Sequence, residues 1–148
     1  MELIIMAERK DLQRKYMQFQ ILRQQLNALI EEKMILDSKM NELRSTLETI
    51  SKLRGVGEGE EIMSNIGPGT FIRADVKDVK NLIVNIGADV YASKTTAEAS
   101  KILSGRLAEL DKVDDEMITE INKLSQSIEK LEPELQRLAE ASKEEKKK

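Results

Sequence analysis

The chain has 148 residues, of which 34% are charged and 3% aromatic, and its net charge is −3. A chain so polar and so poor in large rings does not fill one thick globular core, so the composition favours an extended helical protein. It contains no histidine and no cysteine. This excludes disulfides, a thiol nucleophile and the usual zinc ligands, and we expect no catalytic, cofactor-binding or metal site.

Charge and hydropathy patterning limit the cellular setting. Acidic and basic residues are mixed along the sequence, without the basic patch typical of nucleic-acid binding. No apolar run reaches the length of a membrane span, and the lack of cysteine suits a reducing compartment. We therefore expect a cytoplasmic protein that binds neither nucleic acid nor membrane. Met1 and Met6 both stay open as the start of the chain.

The first predicted element is a long helix that covers residues 7–53, a stretch without glycine or proline. Apolar residues recur there at the a and d positions of a seven-residue repeat, which predicts a coiled coil. A helix of about 45 residues would form a rod about 70 Å long. The a positions hold Ile5, Leu12, Phe19, Leu26, Lys33, Met40 and Leu47, and the d positions hold Leu22, Leu29, Leu36, Leu43 and Ile50.

Further apolar residues of this helix lie off the a/d seam. Tyr16 and Ile30, at e positions, broaden the seam. The remaining four form what we call the off-seam strip, namely Met17, Ile21, Met34 and Ile35. Flexible, polarizable methionine side chains suit a surface that accepts varied apolar partners. The strip therefore favours a protein that binds other polypeptides.

Four short apolar runs follow a glycine-rich break at residues 55–59. They are Ile62–Ile66, Thr70–Val76, Leu82–Ile86 and Val90–Ser93. Gly67-Pro68-Gly69 separates the first two runs and Gly87-Ala88-Asp89 the last two, which predicts two β-hairpins joined through residues 77–80. Isolated hairpins are marginally stable in water, so these strands need further strands as partners.

A second long helix is predicted to start at Thr95 or Thr96, since Glu98 lies three residues after Thr95 as in a capping box. Its a positions hold Leu107, Asp114, Ile121, Ile128 and Leu135, and its d positions hold Leu103, Leu110, Met117, Leu124, Leu131 and Leu138. Lys33 and Asp114 are polar residues at a positions, where we expect them to set the register. Pro133, at position f, predicts a kink or local fraying.

Two heptad seams of similar length on either side of a turn-back segment predict an intrachain antiparallel coiled coil with both termini at its far tip. The predicted fold is mainly α with a small β part. We divide the chain into an N-terminal coiled-coil helix (1–54), two linked β-hairpins that form an oligomerisation platform (55–94), and a C-terminal coiled-coil helix (95–148).

Two segments carry a resemblance to a known family. Asn65–Phe71 (NIGPGTF) and Val84–Thr95 (VNIGADVYASKT), followed by a helix opening at Ala97-Glu98-Ala99, resemble archaeal prefoldin alpha subunits. The resemblance implies a hetero-hexamer of two alpha and four beta subunits, in which the hairpins assemble into β-barrels and the coiled coils project as tentacles. It also implies an ATP-independent chaperone that captures unfolded polypeptides and transfers them to a group II chaperonin.

Two groups of site residues follow. Apolar residues at the tip are expected to bind clients, namely Leu3, Ile4, Ile5, Leu12, Tyr16, Met17, Phe19, Leu135 and Leu138. Apolar strand residues are expected to form the barrel core and the subunit contacts, because uncovered strand edges pair with other chains. These are Ile62, Ile66, Phe71, Ile72, Leu82, Val84, Ile86, Val90 and Tyr91. The alternative function is a structural coiled-coil adaptor that joins fixed protein partners.

Overall fold

The architecture is two long helices with four short strands between them, as predicted. The computed structural model describes residues 1–147. Helix α1 spans Glu2–Lys52 and helix α2 spans Thr96–Lys146, and a 3-10 turn at Leu53–Gly55 follows α1. The strands are β1 (Glu61–Gly67), β2 (Thr70–Asp75), β3 (Asn81–Gly87) and β4 (Val90–Thr95). Each strand lies within one or two residues of its predicted bounds, so the mainly α fold class is confirmed.

The heptad prediction holds along both helices, because every residue assigned to an a or d position is buried or half-buried. Met40 is the most deeply buried of them, with 2% of its surface exposed. Helix α2 begins where the capping pattern placed it. The Thr95 hydroxyl oxygen accepts a hydrogen bond from the Glu98 backbone N–H at 3.2 Å, which satisfies one of the free donors of the first turn.

The chain divides into two compact units, and both helices contribute to each. Unit 1 consists of Met1–Asp37 and Lys112–Lys148. Within it, ion pairs join Lys15 to Glu134 at 2.8 Å and Lys33 to Asp114 at 2.7 Å. Residue numbers rise along α1 while those of the partners fall along α2, so the helices of this unit are antiparallel.

Unit 2 consists of Ser38–Asp111 and contains both hairpins. Strands β1 and β2 form one antiparallel sheet, and β3 and β4 form another. The two turns share an Asn-Ile-Gly sequence. Asn65 Oδ1 accepts a hydrogen bond from the Gly67 N–H, Asn85 Oδ1 accepts one from the Gly87 N–H, and each bond is 2.9 Å long. A register shift lies at the same place in both hairpins, between the asparagine and the glycine of this sequence.

The turn residues differ in backbone conformation. Gly69 has φ of 64° after Pro68, the arrangement of a type II turn. In the second hairpin Ala88 and Asp89 both have positive φ, 48° and 57°, which is the pattern of the type I′ turn that suits the twist of paired strands. Both hairpins are therefore closed by two-residue turns.

The second hairpin is held to the start and body of α2. Arg106 donates a hydrogen bond from its guanidinium group to the Asn85 carbonyl oxygen. Thr96 donates its backbone N–H to the Lys80 carbonyl at 3.1 Å and its hydroxyl to the Val79 carbonyl at 2.9 Å. Strand β3 therefore has a fixed position against the first turns of α2.

At Pro133 the structure shows no break in the helix, and the expected kink stays a prediction. Helix α2 continues through this residue without fraying. Pro133 is exposed, while Leu131 beside it is buried and Leu135 half-buried. A proline on the solvent-facing side removes one backbone hydrogen bond, and the packed seam residues on either side of it keep the helix intact.

Candidate functional site

An apolar groove lies near the chain ends, in unit 1. Its volume is about 470 Å³. The lining residues come from one helical turn of α1 and the facing turn of α2, and they are Leu12, Gln13, Tyr16, Leu135, Gln136 and Ala139. None of these side chains carries a charge. The lining surface is almost entirely apolar, so the groove can accept apolar side chains.

Three residues predicted for client binding, namely Leu12, Tyr16 and Leu135, meet at this groove. Leu138 and Ile5 line a narrow neighbouring gap together with Leu12. The other four predicted residues lie outside both: Leu3, Ile4 and Met17 are exposed, and Phe19 is half-buried. The most exposed of them, Leu3, shows 84% of its surface. We call residues 1–19 and 131–147 the terminal region; it presents an apolar groove and free apolar side chains.

A charged pair crosses the helix interface beside the groove. Lys15 occupies the d position that precedes Leu22, and its ammonium group contacts Glu134 Oε2 at 2.8 Å and Asp11 Oδ2 at 3.6 Å. The hydrogen bond to Glu134 is the main reason that the pKa of Lys15 lies above its usual value, and Asp11 adds to the effect. Apolar d positions alone do not indicate this polar contact, and the lysine at a d position is the signal in the sequence that could have found it.

A second charged pair joins the two polar a residues that the sequence singled out. Lys33 Nζ lies 2.7 Å from Asp114 Oδ1 and 2.9 Å from Asp37 Oδ1. These two carboxylates raise the pKa of Lys33, and Asp114 contributes most. Each of these two charged residues at the seam therefore has a partner of opposite charge. The role of the pair in setting the register stays a prediction.

The off-seam strip is exposed, as its heptad positions predict. Met17, Ile21, Met34 and Ile35 each show more than half of their surface, and Met34 shows most with 67%. All four lie on α1 within unit 1. The strip is a second apolar surface on which a protein partner could dock.

The strands present a third apolar surface, in unit 2. Seven of the residues predicted for oligomerisation are exposed: Ile62, Ile66, Phe71, Ile72, Ile86, Val90 and Tyr91. In the first hairpin Ile62 and Ile72 lie on one face while Phe71 lies on the other, and both faces are open. Such a sheet has too little cover to be stable alone.

Val84 and Leu82 differ from the other strand residues. Val84 is 7% exposed and Leu82 is half-buried, because this face of the second hairpin is covered within unit 2. The sequence predicts that both residues form the barrel core and the subunit contacts, but for this face the chain itself already provides cover. Val84 therefore packs within the chain itself.

Two residues missed in the sequence are the most exposed apolar residues of the strands. Ile83 shows 79% of its surface and Met63 shows 71%. Ile83 lies on the face opposite to Val84, since alternate residues of a strand point to opposite sides. The alternation in the sequence indicated two faces, but it did not tell which of them the helices cover.

Comparisons with known proteins identify the family. The sequence profile of the prefoldin subunit family matches residues 22–141, most of the chain. Prefoldin subunit alpha of Methanococcus vannielii is 32% identical over 132 residues, which cover 89% of this chain and 88% of that protein. Prefoldin subunit alpha of Archaeoglobus fulgidus is 28% identical over 130 residues, covering 88% of this chain and 95% of that protein. The chain therefore belongs to the prefoldin family of chaperone subunits.

A solved structure supports the fold. One chain in the cryo-EM structure of filamentous PFD from Methanocaldococcus jannaschii aligns with a TM-score of 0.68 and 24% sequence identity. The alignment covers 78% of this chain and 96% of that chain. The similarity to prefoldin alpha subunits of archaea confirms the resemblance that the hairpin sequences suggested. Within residues 1–147, neither helix combines the length and the apolar character that crossing a membrane requires.

Proposed function

We propose that the chain is the alpha subunit of a cytoplasmic holdase, which captures unfolded polypeptides in its terminal region and passes them to a group II chaperonin. The apolar groove formed by Leu12, Tyr16 and Leu135 carries this proposal. Unfolded chains expose the large apolar side chains that such a groove accepts, whereas native proteins bury most of theirs. Client recognition at an uncharged groove depends on exposed apolar groups and not on one particular sequence.

Assembly is the second part of the proposed function. The chain joins beta subunits, two alpha with four beta, through a shared β-barrel platform. The exposed strand faces support this arrangement, because strands with open edges and apolar faces gain stability when further strands cover them. The three segments 1–54, 55–94 and 95–148 then act as arm, platform and arm.

Several arms in one complex explain how capture proceeds without ATP. Each groove is small, so one contact with a client is weak and short-lived. Linking several weak sites raises the apparent affinity by about 10²-fold or more, because later contacts form within one complex. Release then needs only the successive loss of weak contacts or competition by a second chaperone.

Deletion of residues 1–19 together with 131–148 tests the proposal. This change removes the groove and leaves both hairpins intact, so the complex should keep its mass while its capture of denatured protein falls sharply. Native mass spectrometry measures the first quantity, and suppression of aggregation of a denatured protein measures the second. A truncated complex that holds denatured protein as well as the intact one would place client binding elsewhere.

A pair of matched double variants locates the binding surface. Tyr16→Ser with Leu135→Ser alters the groove, while Met34→Ser with Ile35→Ser alters the off-seam strip. We expect only the groove variant to lose capture by about tenfold, because each lost apolar contact weakens a multivalent interaction. Equal loss in the two variants would indicate that both surfaces hold the client.

A structural adaptor is the second candidate function, and the exposed off-seam strip on α1 favours it. An adaptor binds fixed partners at one saturable patch, whereas a holdase binds many unfolded chains and ignores native ones. The assembled complex should therefore suppress aggregation of several dissimilar denatured proteins without nucleotide. Protection of one protein alone, with competition by its native form, would support the adaptor.

A further inference from the structure

One position in the heptad pattern of α1 breaks the apolar seam beside the groove. The d positions from Leu22 to Ile50 are all apolar, but the preceding one is Lys15. Its side chain is 23% exposed, so its aliphatic part lies in the interface while its ammonium group reaches Glu134 and Asp11. At this point an ion pair joins the two helices, where a leucine would join them by apolar burial.

The pair joins the same two stretches that form the groove. Lys15 lies between the groove residues Leu12 and Tyr16, and Glu134 immediately precedes the groove residue Leu135. Glu134 also follows Pro133, where the helix lacks one backbone donor. Opening of this contact would therefore separate the two walls of the groove.

Beyond the pair, toward the chain ends, both helices carry charged residues at or beside the seam, and none of them forms an ion pair between α1 and α2 within residues 1–147. Glu8, at the d position before Lys15, and Glu145, at the d position after Leu138, line one gap together with Arg9, Ser142, Ile5, Leu12 and Leu138. Lys15–Glu134 is the ion pair between α1 and α2 closest to the chain ends among residues 1–147.

We propose that the Lys15–Glu134 ion pair is a salt-sensitive latch that controls opening of the groove, so that the terminal helices separate and expose Leu12, Leu135 and Leu138 to a client. This inference rests on the proposed capture of clients at the groove. An ion pair that is partly exposed contributes little and is screened by salt. The latch therefore opens readily and closes again, which a fully apolar seam would not allow.

Hydrogen–deuterium exchange of the assembled complex measures the latch without any client. Glu134→Gln should speed amide exchange in residues 8–19 by about two- to fivefold, the size expected for losing one exposed ion pair. Glu132→Gln, which removes the same charge on the other side of Pro133, serves as the control and should leave exchange unchanged. Lys15→Leu extends the apolar seam and should slow exchange by about tenfold.

Salt gives an independent measurement on the unaltered chain. Raising sodium chloride from about 0.1 M to about 1 M shortens the Debye length from about 10 Å to about 3 Å, so exchange in residues 8–19 should rise in the wild type and stay constant in Lys15→Leu. Capture of a denatured protein should fall in Lys15→Leu. Equal exchange in Glu134→Gln and Glu132→Gln would overturn the latch.

The two proposals fail in different ways. If the wild type captures no denatured protein, the proposed function is wrong, and the exchange data still decide whether the ion pair closes the terminal region. If exchange follows the ion pair but Lys15→Leu captures denatured protein as well as the wild type, the pair does not control the groove, and the proposed function stands.

Discussion

Asp78 organises the link between the two hairpins through a set of hydrogen bonds to one carboxylate. Its Oδ1 accepts the Lys80 backbone N–H at 2.8 Å and the Asn81 backbone N–H at 3.2 Å, and its Oδ2 accepts the Asn81 side-chain amide at 3.1 Å. These donors favour the ionised carboxylate, and the bond from Lys80 is the largest cause of the lowered pKa of Asp78. The start of β3 therefore depends on a charged side chain.

The lowered pKa of Asp78 makes the stability of the folded chain depend on pH. A carboxyl whose pKa is lowered on folding stabilises the folded chain above its unfolded pKa, and the stabilisation is lost as the pH falls through the folded pKa. Asp78→Asn should remove this part of the acid sensitivity, so its melting temperature should decline less than that of the wild type below about pH 4. Thermal unfolding followed by circular dichroism measures the difference. Asp75→Asn is the control, and an identical decline in the two variants would contradict the assignment.

Single residues show where sequence reasoning reached its limit. Lys33 and Asp114 stood out because both are polar residues at a positions, and the structure pairs them. The contact of Arg106 could not be predicted, because a heptad pattern does not indicate that an arginine of α2 donates a hydrogen bond to the Asn85 carbonyl oxygen. Pairings within one seam follow from a repeat, whereas contacts between a helix and a strand depend on how the elements pack.

At the scale of elements, glycine has opposite roles in the hairpin and in the helix. Gly87 has φ of 125°, a backbone conformation that side chains with a Cβ atom rarely adopt. Gly105 lies inside α2, where a Cβ atom would meet nothing within 4 Å. The same substitution by alanine should therefore change stability in opposite directions at the two positions.

The expected changes in the free energy of unfolding allow a direct comparison of the two substitutions. Gly105→Ala should stabilise the chain by about 0.8–1 kcal/mol, the difference in helix propensity between the two residues. Gly87→Ala should destabilise it by about 1–2 kcal/mol, the cost of placing a Cβ atom at positive φ. Chemical denaturation of the assembled complex gives both values. Destabilisation by Gly105→Ala would show that this part of α2 is covered by another chain.

The elements themselves were largely predictable, and the reason is periodic burial. A repeat of seven fixes which side of each helix is covered, and glycine, proline and asparagine mark the turns. The alternation of residues along a strand does not show which face of a hairpin is covered. Ile83 and Val84 are neighbours of similar hydrophobicity, yet one is 79% exposed and the other 7% exposed. That difference arises from the packing of the hairpin inside unit 2.

At the scale of the whole molecule, substitutions of Ile83 and Val84 distinguish an effect on assembly from an effect on folding. Ile83→Asp places a charge on the open face and should dissociate the proposed complex while leaving the helical circular dichroism of the chain intact. Val84→Asp buries an unpaired carboxylate and should lower stability by about 3 kcal/mol or more. Native mass spectrometry and thermal melts together distinguish the two effects. An Ile83→Asp complex of unchanged mass would contradict assembly through this face.

The open faces of the strands also affect the chain before it meets its partners. Ile83 and Met63 remain uncovered in the single chain, beside strand edges that can pair with other polypeptides. An orphan subunit thus displays the kind of surface by which quality-control proteases detect unassembled proteins. Synthesis in excess over its partners should then lead to degradation and not to accumulation, so that the supply of partner subunits sets the cellular level of this one.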